Sequence, residues 1–321
     1  TGRSITGVGF KPDLVWIKAR HETWVHGIYD SIRGPLDELS SNNTSAVSTE
    51  SDSLLSFNDD GFSYGTRVVG NQDGGRYVAW CWKAGGAATA NTDGSINSSV
   101  SANQTAGFSI VSYTGTGSAG TVGHGLGKRP KVVIVKRRDA STNWPIFFDG
   151  ISNNTNDLLQ LNLTNATATA GNFFNSGNTT TTTFPLGTGD GQTNQSGSGH
   201  IAYCWAEIPG YSKFSFYQGT GQADGPFVYC GFKPAWVMVK CSSNGSTNWR
   251  IWDSSRGSTN SNNLDLLANT ADIENSYGND EIDLLSNGFK IRSTGSWHNL
   301  SGGSFIFMAF AESPFQTANA K

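Results

Sequence analysis

The sequence predicts an all-β protein made of three tandem β-sandwich, jelly-roll-like modules, and three observations predict it. One strand-like string is written three times, as GFKPDLVWIK at residues 9–18, GKRPKVVIVK at 127–136 and GFKPAWVMVK at 231–240. The 40 glycines stand among abundant Ser, Thr and Asn, a composition that favours turns and strands over helices. No stretch sustains a helical period over eleven residues, whereas period-2 alternation recurs, as at residues 132–136.

The elements follow the same order in each copy. The strand led by Pro12, Pro130 or Pro234 comes first. A Trp and then an Asp follow: Trp24 and Asp30 in TWVHGIYDSIRG, Trp144 and Asp149 in NWPIFFD, Trp249 and Asp253 in NWRIWDSSRG. Next is a strand running into Asn, in LSSNNTSA, LQLNLTNA and LLANTADI, and then a turn and strand in DDGFSYG, TTTFPLG and SNGFKIR. Each copy closes on an aromatic strand, RYVAWCWKA, HIAYCWAEI or SFIFMAFAES. FSIVSYTGTG and FSFYQGTG lead into the later copies, but only TGRSITGVG precedes the first, so the chain is expected to begin partway through a repeat. The expected boundaries are 1–86 for module one, 87–105 for a linker reading AATANTDGSINSSVSANQT, 106–210 for module two and 211–321 for module three. Short antiparallel strands must bury one face, which a two-sheet sandwich accomplishes, and modules of this size can fold as separate beads.

The charge balance narrows the partners. With 22 Lys and Arg against 25 Asp and Glu the net charge is -3, so no global field draws the chain to nucleic acid or an anionic membrane. No run of 18 apolar residues is present, which argues against a membrane-inserted helix. Hydrophobic content is 36%, so burial rests on large rings, of which there are 10 Trp, 18 Phe and 9 Tyr. Cys81 and Cys204 occupy matching places in two closing strands and, with Cys230 and Cys241, read as free buried thiols.

Motifs with chemical potential read as architecture. His21, Glu22 and His26 in HETWVH miss the i, i+4 helical spacing of a zincin, so no metal is expected. GTGSAG at 115–120 lacks the following helix that a dinucleotide site needs, and it reads as a glycine turn. Lys128, Arg129, Lys131, Lys136, Arg137 and Arg138 flank an apolar strand and read as its solvated ends. Asp30 with Arg33, and Asp253 with Arg256, have the spacing of an ion pair that pins a turn. The expectation is therefore a non-enzyme without cofactor. Trp24, Trp144 and Trp249 recur and read as core anchors, whereas Trp297, with His298 and Asn299 in STGSWHNLSGG, is unrepeated and becomes the candidate contact for a glycan.

Taken together, GFKPDLVWIKAR, YVAWCWKAGG, TAGFSIVSYTGTG with VGHGLGKRPKVVIVKRRD, and ADGPFVYCGFKPAWVMVK resemble a repeat of tail-fibre-like and other appendage proteins of bacteriophages, especially marine ones. The resemblance spans nearly the whole chain. It implies an extracellular virion protein of the tail or surface, homotrimeric as phage fibres usually are, that associates with other virion proteins and meets host surface polysaccharide. It brings no catalytic residues. Two other readings stand beside it: a tailspike that degrades polysaccharide, and a purely structural fibre or decoration subunit.

Overall fold

The computed structural model describes residues 1–151, 157–169, 171–175, 179–188, 191–257, 259–276 and 281–312. The chain begins with β1 (Arg3–Thr6), β2 (Leu14–Ala19), β3 (Gly27–Asp30), β4 (Gly34–Leu39), β5 (Ser48–Thr49), β6 (Leu54–Asn58), β7 (Gly61–Tyr64), α1 (Val68–Asn71) and β8 (Tyr77–Trp82). It continues through β9 (Thr89–Asn91), β10 (Ser98–Asn103), β11 (Phe108–Thr114), β12 (Gly120–Gly123), β13 (Val132–Arg137), β14 (Pro145–Phe148), β15 (Asp157–Gln160), β16 (Ala168–Thr169), α2 (Gly171–Phe174), β17 (Thr183–Leu186) and β18 (Gly199–Trp205). The last third holds β19 (Ser212–Gln218), β20 (Phe227–Tyr229), β21 (Pro234–Cys241), β22 (Arg250–Asp253), β23 (Leu264–Leu267), β24 (Asn275–Ser276), β25 (Ile282–Leu285), β26 (Gly288–Ile291), α3 (Ser296–Asn299) and β27 (Ser304–Ala311).

The architecture is all-β, and the strand order explains why one string is written three times. Large sheets run β5-β4-β3-β2-β8, β16-β15-β14-β13-β18-β11-β10-β9 and β24-β23-β22-β21-β27-β19. In each, the proline-led strand (β2, β13 or β21) is interior, paired antiparallel with the closing aromatic strand on one side and, on the other, with the strand that ends on or just before the recurring Asp. Small sheets β1-β7-β6, β12-β17 and β20-β26-β25 complete the set. Side chains of a large and a small sheet meet in each of three apolar clusters: Val15 and Ile17 with Phe62 and Leu54; Val133 and Val135 with Val122 and Phe184; Val237 and Val239 with Phe289 and Ile291. The glycines of DDGF and SNGF are required by close approach, since a Cβ on Gly61 would lie 2.0 Å from the Ile5 carbonyl and one on Gly288 2.1 Å from that of Val228.

The expected linker is a correction. Residues 87–105 carry β9 and β10, and β10 pairs along its length with β11, so the segment extends a sheet. Its Ser and Thr alternate with Val100 and Ala102 on a pleated strand, a pattern that composition alone reads as linker. Contacts divide the chain into two compact units: Thr1–Asn162 with Thr169–Ala206, and Leu163–Ala168 with Glu207–Lys321.

Within the first unit the second faces of two large sheets meet. Trp82 and Trp205 lie with ring centroids 6.3 Å apart, and the Tyr203 hydroxyl donates to Asp30 Oδ2 at 2.7 Å. The Trp144 indole donates to the Ser40 carbonyl at 3.0 Å. Coverage on both sides explains why all six residues of β2 and five of six in β13 are buried, and why these strands read as nearly continuous apolar runs.

The lysine that ends each central strand is fully buried: Lys18, Lys136 and Lys240. This corrects the reading of Lys136 as a solvated end. An ammonium withdrawn from water needs oxygen partners. Lys18 Nζ donates to the carbonyls of Ala19 and Glu22 at 2.7 and 3.2 Å. Lys136 donates to those of Thr44 and Thr142 at 3.0 and 2.9 Å. Lys240 donates to those of Cys241 and Thr164 at 2.7 and 3.1 Å and to Thr247 Oγ1 at 2.8 Å. Thr164 and Thr167, whose amide donates to the Ser242 carbonyl at 2.8 Å, tie residues 163–168 into the second unit. Three others of the basic cluster are paired: Arg129 and Lys131 with Asp149, and Arg137 with Asp139.

Two further devices recur. Asp30 accepts from Arg33 Nε at 2.5 Å and Asp253 from Arg256 Nε at 2.6 Å, each arginine also reaching a strand carbonyl (Ile28 or Ile251) at 2.9 Å. The Asn of α1 and α3 and the corresponding Asn194 clamp the turn before the closing strand. Asn71, Asn194 and Asn299 donate through Nδ2 to the carbonyls of Gly65, Gly187 and Ser293 at 2.6, 2.8 and 2.8 Å. Asn194 and Asn299 Oδ1 also accept from the amides of Thr116 and Thr220, both at 2.8 Å, which folds GTGSAG and GTGQAD into glycine turns.

One recurrence is assigned differently by the register. Trp144 and Trp249 are buried and receive their strand pairing through Asn162 and Asn269, but the matching residue in the first copy is His26, whose amide donates to Asn42. Trp24, two residues earlier, is 37% exposed and is no core anchor.

Asn194→Ala is expected to lower stability by about 1–3 kcal/mol, because the buried Gly187 carbonyl and the partly buried Thr116 amide and Ser118 carbonyl lose their partner. Asn194→Asp is expected to cost at least as much, since it faces two carbonyls with a buried charge. Urea unfolding followed by tryptophan fluorescence measures both.

Candidate functional site

The three residues expected to meet a glycan lie on α3, and two of them are turned inward. His298 and Asn299 are fully buried, and Asn299 spends its amide on the turn clamp. The glycan-contact expectation is thus corrected for this pair: a side chain withdrawn from solvent on a four-residue helix cannot contact a polymer. Trp297 is half-buried. The Arg250 guanidinium lies 5.0 Å from its ring centroid, and its Nε1 is 3.5 Å from Glu281 Oε2.

α3, β22, β23 and β25 gather an ionisable cluster around these residues. Arg250 pairs with Asp265, and Arg256 bridges Asp253 and Glu274. Burial pushes the Asp265 carboxyl up against the pull of Arg250, and burial pushes Glu281 up to about 7. His298 is driven down to about 3, first by burial and then by the Arg250 charge. Its Nε2 lies 3.3 Å from Glu281 Oε2 without the alignment of a hydrogen bond. The ring sits edge-on to Trp252 at 5.6 Å.

The first copy builds its own cluster at the same place. Leu39 pairs with Ile28 as Leu266 pairs with Ile251, so Glu38 and Asp265 occupy matching positions. Glu38 accepts from the Tyr29 hydroxyl at 2.5 Å and from Arg67 at 3.1 Å; Tyr29 and Tyr64 hydroxyls are 3.1 Å apart; and Arg67 also holds Glu50 at 2.9 Å. Burial, then the Tyr64 and Glu38 charges, hold Tyr29 well above the usual phenol range. Glu38 and Arg67, with Ser40, Asn43, Ser45 and Ser48, line a polar cleft of about 180 Å³. In the second copy Leu158 takes the acid's place, against Phe147 and Phe174. The fold therefore accepts either chemistry there.

HETWVH does not converge on one point. His26 Nδ1 accepts from the Trp16 indole at 2.8 Å, while His21 Nδ1 lies 3.1 Å from the Arg76 carbonyl. Among the described residues no group of three or more His, Cys, Asp or Glu is arranged to hold a metal. Asp60 in NDDG accepts from the amides of Gly7 and Gly9 at 2.9 and 2.6 Å, which holds its carboxyl below the usual range. The four cysteines are free, with burial raising the Cys81 and Cys230 thiols to about 12 and Cys204 higher still. No helix among the described residues is long and apolar enough to cross a membrane.

Sequence reasoning missed Arg250, Asp265 and Glu281, and also the exposed rings of Phe216, Phe227 and Tyr229. A signal for the acids was present: Glu38 and Asp265 each stand four residues before a recurring Asn, Asn42 and Asn269. A family described as a domain of unknown function (DUF7483) matches residues 1–314. No curated protein and no solved structure matches the chain.

The Glu281 and His298 shifts have opposite consequences for stability. Glu281 binds a proton more readily folded than unfolded, from its ordinary value near 4.5 up to about 7, so alone it makes stability fall as pH rises through that window. His298 binds one less readily folded, from about 3 to its ordinary 6.5, so alone it makes stability rise. Between pH 4.5 and 6.5 the two cancel. Glu281→Gln is expected to leave stability climbing by about 2–3 kcal/mol across that interval, and His298→Gln to leave it falling by a similar amount. Urea midpoints at half-unit pH steps measure both slopes.

Proposed function

This chain belongs to the DUF7483 family, a domain of unknown function, and from that premise we propose that it is a non-enzymatic virion protein, part of a phage tail fibre or surface appendage, that contributes to attachment to host-surface glycan. One observation carries the reading. The recurring polar residues are consumed in holding loops, as with Lys136, Asn194 and Asp253, and the buried acid Asp265 is closed on Arg250. An enzyme keeps an acid or nucleophile open to substrate, whereas an attachment protein needs a rigid frame with variable outer surfaces. The resemblance of the repeated strings to appendage proteins points the same way, toward a homotrimer working with other virion proteins. A second, purely structural reading draws on the same commitment of side chains to the frame.

Purified protein added ahead of virus is expected to reduce adsorption to host cells in a dose-dependent manner, and to release no new reducing ends from host polysaccharide. Unchanged adsorption, with no cell binding by the labelled protein, selects the structural reading. Release of oligosaccharide selects the tailspike.

A further inference from the structure

The three copies provide an internal control for deciding which surface residues the fold needs. In the small sheets Ile5 pairs with Phe62, Val122 with Phe184 and Val228 with Phe289, so Ile5, Val122 and Val228 are equivalent core positions. The residues on either side point to the opposite face. They are Ser4 and Thr6 in the first copy, Thr121 and Gly123 in the second, and Phe227 and Tyr229 in the third. Phe227 is 46% exposed and Tyr229 63% exposed. Two copies close their core without rings at these places, so folding does not account for them.

The surroundings of the two rings define what they can hold. At i and i+2 on one strand they stand about 7 Å apart on a pleated surface. The residue opposite Tyr229 is Gly288, which leaves the sheet flat beside that ring, and the residue opposite Phe227 is Lys290, itself opposite Asp283. Lys290 Nζ lies 2.8 Å from Asp224 Oδ1, and Arg292 lies 3.8 Å from Asp224 and 3.3 Å from Asp283. Two cations and two carboxylates neutralise one another, so the face has no net charge to attract a polyanion. The partly exposed rings together offer roughly 200 Å², far below the about 800 Å² per partner that a stable protein interface buries. Exposed rings flanked by paired donors and acceptors on a rigid sheet are suited to stacking on sugar faces while hydrogen bonding their hydroxyls.

We propose that the outer face of β20 and β26 is a binding platform for a neutral polysaccharide, with Phe227 and Tyr229 stacking on sugar rings and Asp224, Lys290, Asp283 and Arg292 contacting hydroxyls. This inference rests on the attachment reading and names its site. The test substitutes the residues the first copy already uses, Phe227→Ser with Tyr229→Thr, in the full chain, with Tyr229→Thr alone as a second variant. Affinity electrophoresis through gels containing dextran, mannan or laminarin, with alginate as the anionic comparison, measures binding. The expected result is retardation of the wild type by at least one neutral polysaccharide, weakened at least tenfold in the double variant and at least threefold in the single one, with melting temperatures unchanged and Trp297→Ala behaving as wild type. Equal retardation of wild type and both variants overturns the platform while leaving the attachment reading to the adsorption experiment. Retardation by alginate alone, or by none of the gels, also overturns it. A concentration-dependent dimer in sedimentation that the double variant abolishes assigns the face to a second copy of the chain and overturns it too.

Discussion

A lysine buried at the end of a strand that is covered on both faces is the constraint on which much of this fold depends. Lys18, Lys136 and Lys240 cannot reach water, and an ammonium left without partners in such a place would cost several kcal/mol. The chain that follows each lysine curls so that its carbonyls face Nζ, as those of Thr142, in the loop, and Cys241, at the strand end, illustrate in two different ways. Burial lowers Lys136 and Lys240 to about 8, so the surrounding oxygens are what keep the charged form in place near neutral pH. Lys136 and Lys240 also reach Thr44 and Thr164, residues of the preceding copy's Asn-Thr loop, so the same contact that satisfies a charge ties one repeat to the loop of another.

This arrangement sorts the residues of a repeat into two kinds. Those that hold loops or turns recur with the same geometry: the Asn clamp, the Asp–Arg pair and the buried lysine. Those that fill the space beneath the third strand of the large sheet vary, with Glu38, Leu158 and Asp265 at one position. Each brings its own company: tyrosines and Arg67, phenylalanines, or Arg250 with Glu281 and His298. Because a buried acid demands a cation and a buried leucine demands rings, such a position changes as a set.

The outer face of the small sheet varies under a weaker rule. Ser4, Thr121 and Phe227 share one register position, where Thr121 Oγ1 accepts from the Ser95 amide at 3.1 Å while Phe227 stands exposed, because the core residue is the neighbour on the strand. A repeat protein can thus change a surface without disturbing its frame. In the attachment reading, the frame supplies rigidity and the solvent-facing strands supply recognition.

The all-β class, the recurring proline-led strand, the Asp–Arg turns and the free thiols were legible in the sequence, because each depends on local spacing or on a string that recurs intact. Tertiary structure alone decided the rest. Residues 87–105 look like a linker until β11 supplies an edge for β10. Trp24 matches Trp144 and Trp249 in order along the chain, yet pairing register, which counts residues from the strand partner, puts His26 there instead. His298 and Asn299 look unrepeated as letters, but the Asn299 clamp has the same form as that of Asn194, in a segment whose neighbouring residues differ. What a side chain faces is set by partners distant in sequence, so spacing along the chain carries the strands and their turns, whereas burial, charge pairing and the surface left to a ligand exist only once the sheets have met.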